Sequence, residues 1–343
     1  MSTEDGKEER HMRTDHGAKL HPRADGSRSL RLKNRLSSAA WTVFRSTFLI
    51  GVSFIILYPL IYMLSISFRT AADMADPSVV WIPKHLSLEA MKDSFLAMDY
   101  PRALWNTVRL GLFSSLLQVM SCAIVGYGFA RFEFRFKRLL FALVLFTIIV
   151  PSSVVYVPTY LSYKSFDLFG IGSLIGLFTG KPLTVNLLNT GWTLYIPAFF
   201  GVGIRSGLFI YIFRQFYRGL PRELEDAAYI DGCGFVKTFL RVIVPNAGPA
   251  FLTVFLFSVV WYWNDYYFTT MYFTNVRTVS TALATLGSLL STREGSGAFL
   301  NDEYLISTRM QAGCLLSIAP LLLMYVALQR YFTEGIERTG LVG

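Results

Sequence analysis

Charged residues are scarce in this chain. They make up 16% of its 343 residues, whereas a soluble domain usually carries about 25%. Six stretches of 20 to 25 residues contain no charge at all, and ~20 apolar residues in a helix suffice to cross the hydrocarbon core of a membrane. This repetition disfavours a soluble protein and predicts an all-α polytopic membrane protein. The charge-free stretches are 46–68, 110–130, 139–163, 182–204, 242–264 and 310–329.

Sequence motifs for catalysis are missing as well. The nearest approach to a phosphate-binding loop is GLFTGKP (176–182), which has three residues between its glycines and has Pro182 after the lysine. The pattern G-x-x-x-x-G-K-[ST] therefore fails, so any ATP hydrolysis must come from another chain. We expect no catalytic residue, no metal and no cofactor here, and a membrane enzyme is a weak alternative.

Acidic residues and cysteines are also in short supply within the predicted spans. An ion-coupled carrier would need buried carboxylates for its coupling ion, and no acid lies in the middle of any span. This absence weighs against a carrier. The three cysteines, Cys122, Cys233 and Cys314, show no metal-like spacing and are expected to be small packing residues.

Six membrane spans are predicted from the charge-free stretches. The fourth is shifted toward the C-terminus because Asn186, Asn189 and Pro197 make the first half of its stretch unlike a lipid-facing helix. The shift leaves Arg205 inside this span or near its outer end, where it should face protein or water. Whether residues 168–190 add a short re-entrant or interfacial helix stays open. The predicted spans are about 46–68, 104–130, 139–162, 192–216, 246–268 and 309–331, in a transmembrane domain at 46–335.

The first 45 residues are polar and basic. They hold ten Lys and Arg, six Asp and Glu and no apolar period, so residues 1–45 are predicted to be a disordered tail. The first apolar run comes too late for a cleaved signal peptide and fits an uncleaved signal anchor better. Nucleic-acid binding is the alternative for this tail. Because Lys and Arg beside a membrane are ordinary topology signals, we expect no nucleic-acid partner.

The distribution of positive charge predicts the orientation. Cytoplasmic loops carry an excess of Lys and Arg. The basic tail, the RFEFRFKR loop (131–138) and the loop at 217–245 would all lie inside, whereas the loops between them are poorer in positive charge. The sequence therefore predicts a multi-pass membrane protein with both termini in the cytoplasm, ending in a short tail at 336–343.

The most orderly charged segment is LPRELEDAAYIDGCGFVKTFLRVIVP (220–245). Pro221 suits the first position of a helix, and acids such as those that follow it are favoured at the positive, N-terminal end of a helix. The double alanine at 227–228 leaves little bulk, so another surface can approach closely. The helix should break at Asp231 and Gly232, since glycine can take positive φ and aspartate can cap nearby amides.

A second helical run, FVKTFLRVIV, follows and is predicted to stop at Pro245. The sequence thus predicts two short helices at an angle, polar on one side and anchored by an apolar face. Such an element could dock into a groove of a soluble partner. The alternative is an amphipathic loop that rests on lipid headgroups. The apolar face, at helical spacing, consists of Phe235, Phe239, Val242 and Ile243.

This segment resembles the coupling loop, or EAA loop, of ABC importer permeases. The family pattern is E-A-A-x-x-D-G with an isoleucine and a proline further on, and this chain reads DAAYIDG (226–232) and then IVP (243–245). Asp226 replaces the family's glutamate and keeps its charge on a shorter side chain. Glu225 points about 100° away around the helix and does not replace it. The resemblance implies coupling to an ATPase through Pro221, Asp226, Ala227, Ala228, Asp231, Gly232 and Pro245.

Other segments extend the resemblance over almost the whole chain from about residue 45. They are similar to the carbohydrate-uptake, maltose-type branch of the binding-protein-dependent transport family. These segments are PRALWNTVRLGL (101–112), GYGFARFEFRFKRLLF (126–141), IVPSSVVYVPTYL (149–161), FIYIFRQFYRGLP (209–221), WYWNDYYF (261–268) and LQRYFTEGIERTGLVG (328–343).

The resemblance implies a type I ABC importer permease fold, a location in a bacterial plasma membrane, and a set of partners. The expected partners are a second homologous permease subunit, two ATP-binding-cassette ATPase subunits that bind ATP and Mg, and an extracellular solute-binding protein. The expected substrate is a sugar or oligosaccharide, and a non-sugar solute is the alternative. Closure of the ATPases would pull on 221–245 and rock the spans between two arrangements.

A sugar path needs polar groups and aromatic faces, because sugars offer hydroxyls and C–H faces. The WYWNDYY segment (261–267), near the outer end of the fifth predicted span, offers both. An aromatic belt at the membrane interface is the favoured interpretation for some of these residues. For the polar residues in other spans, hydrogen bonding between helices is the favoured interpretation. The candidate path residues are Trp261, Trp263, Asn264, Asp265, Asn106 and Gln311.

Overall fold

The structure is a computed structural model, which describes residues 24–167, 170–293 and 303–340. The chain divides into two units, residues 1–60 and 61–343. Helices dominate the described residues, and extended pairing there is limited to two isolated bridges, Arg69–Leu86 and Phe166–Val185. The fold class is all-α, which confirms the prediction from the charge-free stretches.

The first helix, α1, covers Ala24–Ser67 and therefore begins inside the segment that was predicted to be disordered. Leu, Arg, Lys and Ala have high helix propensity and are frequent in residues 28–40, which explains why helix precedes the apolar run. Residues 41–57 are exposed along this helix, as apolar side chains in lipid would be. The rest of the predicted tail, 1–23, lies outside the described residues.

The unit at 61–343 contains the other helices of the described chain. Several of them are short, because glycine and proline interrupt the apolar stretches repeatedly. They are α2 Ala71–Ala75, α3 Glu89–Ala97, α4 Tyr100–Arg131, α5 Lys137–Ile149, α6 Ser153–Lys164, α7 Ile171–Thr179, α8 Trp192–Phe199, α9 Ser206–Gly219, α10 Glu223–Ile230, α11 Phe235–Thr238, a π-helical turn Phe239–Ile243, α12 Val244–Asn246, α13 Gly248–Trp263, α14 Tyr267–Tyr272, α15 Val279–Ala284, α16 Leu286–Arg293 and α17 Glu303–Gly340.

Helix α4 is the centre of this unit. It packs against α8, α9 and α13, and Pro101 in its first turn suits a helix start. Small residues on its buried face allow close approach of the neighbouring helices. At Gly126 the approach is so close that a Cβ atom would lie 2.6 Å from the Cβ of Phe213 on α9. The core around this contact also contains Tyr127, Tyr217 and Val254.

The number of continuous spans is smaller than predicted. Three helical segments are long and apolar enough to cross a membrane alone, namely Ser37–Ser67, Tyr100–Arg131 and Ile306–Tyr331. Two helix pairs pass the same test only when each pair is taken together, because α5 and α6 meet at 103° and the helical run ending in α12 meets α13 at 78°. The described residues therefore contain three to five spans, and the predicted six are not confirmed.

Both bends have a local cause. Pro151 follows α5, and proline lacks a backbone N–H and disfavours helical conformation in the residue before it. At the second bend α13 restarts with Pro249 in its first turn, where a missing N–H costs nothing. The predicted spans 139–162 and 246–268 are therefore bent or interrupted and are not single straight helices.

The fourth predicted span, 192–216, is not one helix. Helix α8 ends at Phe199 and α9 begins at Ser206, and the residues between them turn through positive φ at Gly201 (69°) and Arg205 (60°). Glycine takes this conformation readily, and Gly201 follows closely after Pro197. The prediction of a continuous span took account of the proline and the arginine but not of the glycines, and the structure has a break there.

Polar side chains of α4 form hydrogen bonds with backbone carbonyls at the break between α8 and α9. The Gln118 Nε2 donates to the carbonyl of Ile204 at 2.6 Å and to the Ser206 hydroxyl at 3.0 Å. The Ser121 hydroxyl donates to the Ala198 carbonyl at 2.7 Å. Non-helical backbone at membrane depth needs such partners from the protein, since lipid offers none. Hydrogen bonds from α4 therefore stabilise the break between α8 and α9.

A short helix does form in the segment that hydropathy left open. Helix α7 is flanked by glycines with positive φ, and the bridge between Phe166 and Val185 closes the segment. Leu177 and Phe178 on α7 are 80% and 87% exposed. Residues 168 and 169 lie outside the described part of the chain.

Candidate functional site

The segment at 221–245 forms the two predicted short helices. Helix α10 covers Glu223–Ile230, and a second helical run, Phe235–Asn246, follows it. Gly232 between them has φ of 77°, the left-handed conformation that glycine adopts without strain. We call residues 221–246 the coupling element.

Three details of the coupling element differ from the sequence prediction. The first helix begins at Glu223, so Pro221 precedes the helix and does not start it. Pro245 lies inside α12 and not after it, because proline is tolerated in the first turn of a new helical segment. The Asp231 backbone N–H caps α10 by donating to the Ala227 carbonyl at 3.0 Å. Its carboxylate makes no hydrogen bond among the described residues, so the expected side-chain cap is not formed.

Helix α10 has an inner and an outer face. Glu225 and Ala228, three residues apart, are both buried. Asp226, Ala227 and Ile230 are exposed, and Ile230 is 86% exposed. Within the described chain the Asp226 carboxylate has no ion-pair partner. The two alanines therefore differ in position: Ala227 is available to a partner, whereas Ala228 packs against this chain.

A buried ion pair joins α10 to α4, and sequence reasoning missed it. The Arg131 Nε donates to the Glu225 Oε1 at 2.7 Å, and the two side chains are 7% and 10% exposed. A second Arg131 nitrogen donates to the Leu220 carbonyl at 2.8 Å. From the sequence, Glu225 was considered as an acid near the positive helix end and was rejected as a substitute for Asp226, but no partner was predicted for it. The sequence did contain a signal for this pair. Arg131 begins the loop at 131–138, which was predicted to lie on the same side of the membrane as Glu225.

Aromatic side chains reinforce this attachment. The ring centroid of Tyr127 lies 4.9 Å from that of Phe239, 5.6 Å from that of Phe235 and 5.5 Å from that of Tyr217. Tyr127 and Arg131 are four residues apart and so share one face of α4. The predicted apolar face of the second helix therefore packs on the last turns of α4, where the ion pair also lies.

The second feature is a cavity beside the break between α8 and α9. Its volume is about 490 Å³, and its wall is mostly apolar, with residues from α5, α6, α8 and α9 and from the break itself. Polar residues are a minority in this wall, which is typical of small-molecule sites. The polar wall residues include Thr159, Tyr163, Arg205, Tyr262 and Tyr272. Arg205 also places its guanidinium 4.6 Å from the ring centre of Trp261.

The structure gives most candidate path residues bonds within the protein. The buried Trp263 donates from Nε1 to the Ser317 carbonyl at 3.1 Å, which joins α13 to α17. Asn264 donates to the carbonyl four residues before it, and Asn106 donates to the Arg277 carbonyl, each at 2.9 Å.

Asp265 acts as the cap of α14. Its carboxylate accepts from the Thr269 backbone N–H and hydroxyl, both at 2.8 Å. Gln311 is half-buried on α17. Trp261 lies beside the cavity, because its ring lies against Arg205 of the cavity wall. Contact of any of them with a substrate stays a prediction.

The cysteines and acids form no further site in the described residues. Cys122 is buried in the core, and Cys233 and Cys314 are partly buried and form no disulfide. No cluster of three or more His, Cys, Asp or Glu residues that could hold a metal ion occurs in the described ranges. The coupling element and the cavity are thus the two candidate sites.

Comparison with known proteins agrees with this architecture. Residues 123–338, more than half of the chain and including the coupling element, match the family described as binding-protein-dependent transport system inner membrane component. The chain belongs to this family. It is a multi-pass membrane protein that serves as the permease of a transport system, and the family resemblance stated from the sequence is confirmed.

Relatives in the family match this chain over nearly their whole length. Protein LplC of Bacillus subtilis is 26% identical over 89% of this chain and 96% of its own. The arabinooligosaccharides transport system permease protein AraQ of Halalkalibacterium halodurans is 26% identical over 85% and 93%. The lactose transport system permease protein LacG of Rhizobium radiobacter is 23% identical over 83% and 90%.

A solved structure shares the fold of this family member. It is a crystal structure of a bacterial ABC transporter involved in the import of the acidic polysaccharide alginate. The TM-score is 0.61 at 20% identity, over 86% of this chain and 98% of the other. The likeness shows that this chain has an ABC importer permease fold.

Proposed function

We propose that this chain is one permease subunit of a bacterial ABC importer that translocates a sugar or oligosaccharide. The observation that carries the proposal is the two-faced helix α10, whose inner face is bonded to the spans and whose outer face is free. The named activities of the relatives, with arabinooligosaccharides and lactose, support the substrate class.

The outer face of α10 is the surface that receives the ATPase. Asp226 offers an unpaired carboxylate for a basic residue, Ala227 allows close approach, and Ile230 adds an exposed apolar side chain. Glycine at position 232 holds the bend between the two helices, and Asp231 closes α10. Closure of the ATPases on ATP moves α10 and thereby favours one arrangement of the spans over the other.

The complete importer needs chains other than this one. Its partners are a second homologous permease subunit, two ATPase subunits that hold ATP and Mg, and an extracellular solute-binding protein. The positive charges of the N-terminal tail and of the loops at 131–138 and 217–245 support cytoplasmic termini. Both termini on one side of the membrane require an even number of spans, and the broken α8–α9 segment, taken as the fourth span, brings the five candidate spans to six.

Purified alone, this chain should hydrolyse no ATP, since it has no complete nucleotide-binding loop. Hydrolysis and sugar uptake should both appear when the chain is reconstituted in liposomes with its second permease, its ATPase and its binding protein. Phosphate release and radiolabelled sugar uptake measure the two activities. ATP hydrolysis by the pure single chain, with contaminating ATPases excluded, would contradict the proposal.

The cavity beside the α8–α9 break forms part of the sugar path. Arg205 supplies hydrogen-bond donors to its wall, and the Trp261 ring beside Arg205 is 40% exposed. A ring face packs well on the C–H face of a sugar while a guanidinium binds hydroxyl groups. The buried Trp263, by contrast, supports the wall from behind through its bond to α17.

Replacing Trp261 with alanine should lower sugar uptake about threefold to tenfold, because an aromatic contact is worth about 0.5–1.5 kcal/mol. Replacement with phenylalanine should retain most of the uptake. Trp105→Ala is the matched control: like Trp261 it is an exposed tryptophan outside the cavity wall, but its ring does not lie against Arg205. Normal uptake by Trp261→Ala in a correctly assembled importer would contradict a role in the sugar path and favour the interpretation of Trp261 as part of an aromatic belt at the membrane interface.

A further inference from the structure

We propose that the Arg131–Glu225 ion pair is a positioning contact that passes the motion of α10 to α4 and from there to the cavity. The inference rests on the proposed function and adds a pair of residues to it. Neither residue touches the substrate or the nucleotide. They act by keeping α10, which receives the ATPase, and α4 in one rigid unit.

One guanidinium joins three elements. Arg131 is the last residue of α4, it donates to Glu225 in α10, and it donates to the carbonyl of Leu220, which follows α9 directly. The planar arginine fork fixes direction as well as distance, which a single ammonium would not do. A displacement of α10 therefore reaches the ends of α4 and α9 together.

The burial of the pair suits it to carry this motion. Both side chains are at most 10% exposed, so salt and water screen their attraction weakly. The Tyr127 cluster beside the pair packs tightly but consists of ring contacts, which resist compression more than sliding or rotation. The ion pair adds the resistance to pulling and turning that ring contacts lack.

A physical route continues from Arg131 to the cavity. Gln118 is on the same helix, about 20 Å away by helix rise. Its amide holds the carbonyl of Ile204 and the hydroxyl of Ser206, and both of these residues line the cavity wall. Close packing of α4 and α9 at Gly126 makes the two helices move together. Rigid movement of α4 therefore shifts the wall at the α8–α9 break.

The test uses the reconstituted importer and separates a mechanical role from a merely structural one. The single variants Glu225→Gln and Arg131→Gln each leave one charge buried and unpaired, which is costly to the fold. The double variant Glu225→Met/Arg131→Met removes both charges, and replacing both partners of a buried pair by apolar side chains of similar size is often nearly neutral for stability. The measurements are ATPase co-purification, thermal unfolding in detergent, ATP hydrolysis and sugar uptake.

The matched control is Glu133→Gln. Glu133 pairs with Lys137 at 2.8 Å in the next loop, but its side chain is 85% exposed. The hydrogen bond to Lys137 lowers the pKa of Glu133, so the control also removes a real negative charge. It should leave uptake per ATP hydrolysed unchanged.

The double variant should recover the unfolding temperature and ATPase binding of the wild type, yet its sugar uptake per ATP hydrolysed should stay roughly tenfold lower. The exchanged pair Glu225→Arg/Arg131→Glu should regain part of this ratio. Wild-type uptake per ATP in the double variant would overturn the inference and leave the pair as a structural contact. Failure of the wild-type chain to bind any ATPase would instead contradict the proposed function itself.

Discussion

Replacing Ala227 with tryptophan should abolish ATPase binding and sugar uptake while the permease stays folded. Ala227 is exposed on the outer face of α10, so the larger side chain points away from its own chain and enters the docking surface instead. A disturbance at the centre of an interface costs on the order of 2 kcal/mol or more, roughly thirtyfold in affinity. Co-purification of the ATPase and sugar uptake in liposomes measure the loss.

Two variants control this result. Ala227→Ser keeps the small volume and should retain binding and uptake. Ala228→Trp changes the neighbouring, buried alanine and should lower the folding stability, because there is no space for an indole on the inner face. Full ATPase binding and full uptake by Ala227→Trp would favour the lipid-surface interpretation of the coupling element.

Gly232→Val should uncouple the importer by a different route. The residue has φ of 77°, and a β-branched side chain in this conformation costs on the order of 1–3 kcal/mol. A Cβ atom added at this position would meet no other atom within 4 Å, so backbone strain and not a clash is the cause. The angle between the two short helices should change while the spans stay inserted. ATP hydrolysis and sugar uptake, measured together in liposomes, show the uncoupling.

A large effect on folding is expected for Gly126→Val. A Cβ at this position would lie 2.6 Å from the Phe213 Cβ and 3.1 Å from the Arg214 backbone nitrogen, so α4 and α9 would have to separate. Overpacking of this kind costs about 1–3 kcal/mol or more. Thermal unfolding in detergent should show a clear decrease, and the yield of folded protein should fall with it.

Gly128→Val is the matched control on the same helix. A Cβ there meets no atom within 4 Å, and valine has a higher helix propensity than glycine. We expect this variant to unfold at or above the wild-type temperature. Equal unfolding of the two variants would contradict close packing of α4 on α9 as the basis of this unit.

The positions of the long helices could be predicted from the sequence, because a run of about twenty uncharged, mostly apolar residues is typical of a helix that spans the membrane. The apolar helices at Tyr100–Arg131 and Ile306–Tyr331 agree closely with the predicted spans at 104–130 and 309–331. The two short helices of the coupling element were also predictable. Their acids, alanines and glycine each specify local structure.

The break between α8 and α9 could not be predicted from hydropathy. Its residues are apolar enough for a span, and the stabilising partners, Gln118 and Ser121, lie far away in sequence on α4. A hydropathy window does not register which backbone carbonyls have a distant donor. The same limit applies to the bends after α5 and before α13.

The inner face of α10 was equally hidden. Helical spacing shows that Glu225 and Asp226 point in different directions, but the sequence does not say which one faces the protein. The decision depends on Arg131, 94 residues earlier in the chain.

For the candidate sugar path, the sequence shows that the WYWNDYY segment is aromatic and polar. Its division into a buried Trp263 and a half-exposed Trp261 depends on the packing of α13 against α17.

Disulfide cross-linking from α10 tests the central claim most directly. Ala227→Cys, in a chain with Cys233→Ser, should form a cross-link with a cysteine placed in the docking groove of the ATPase. The yield should change between the ATP-bound and nucleotide-free importer, and Ala228→Cys, on the buried face, should give none. Labelling of position 227 by a lipid-borne probe, with no cross-link to the ATPase in either state, would contradict the claim that this helix couples the permease to ATP hydrolysis.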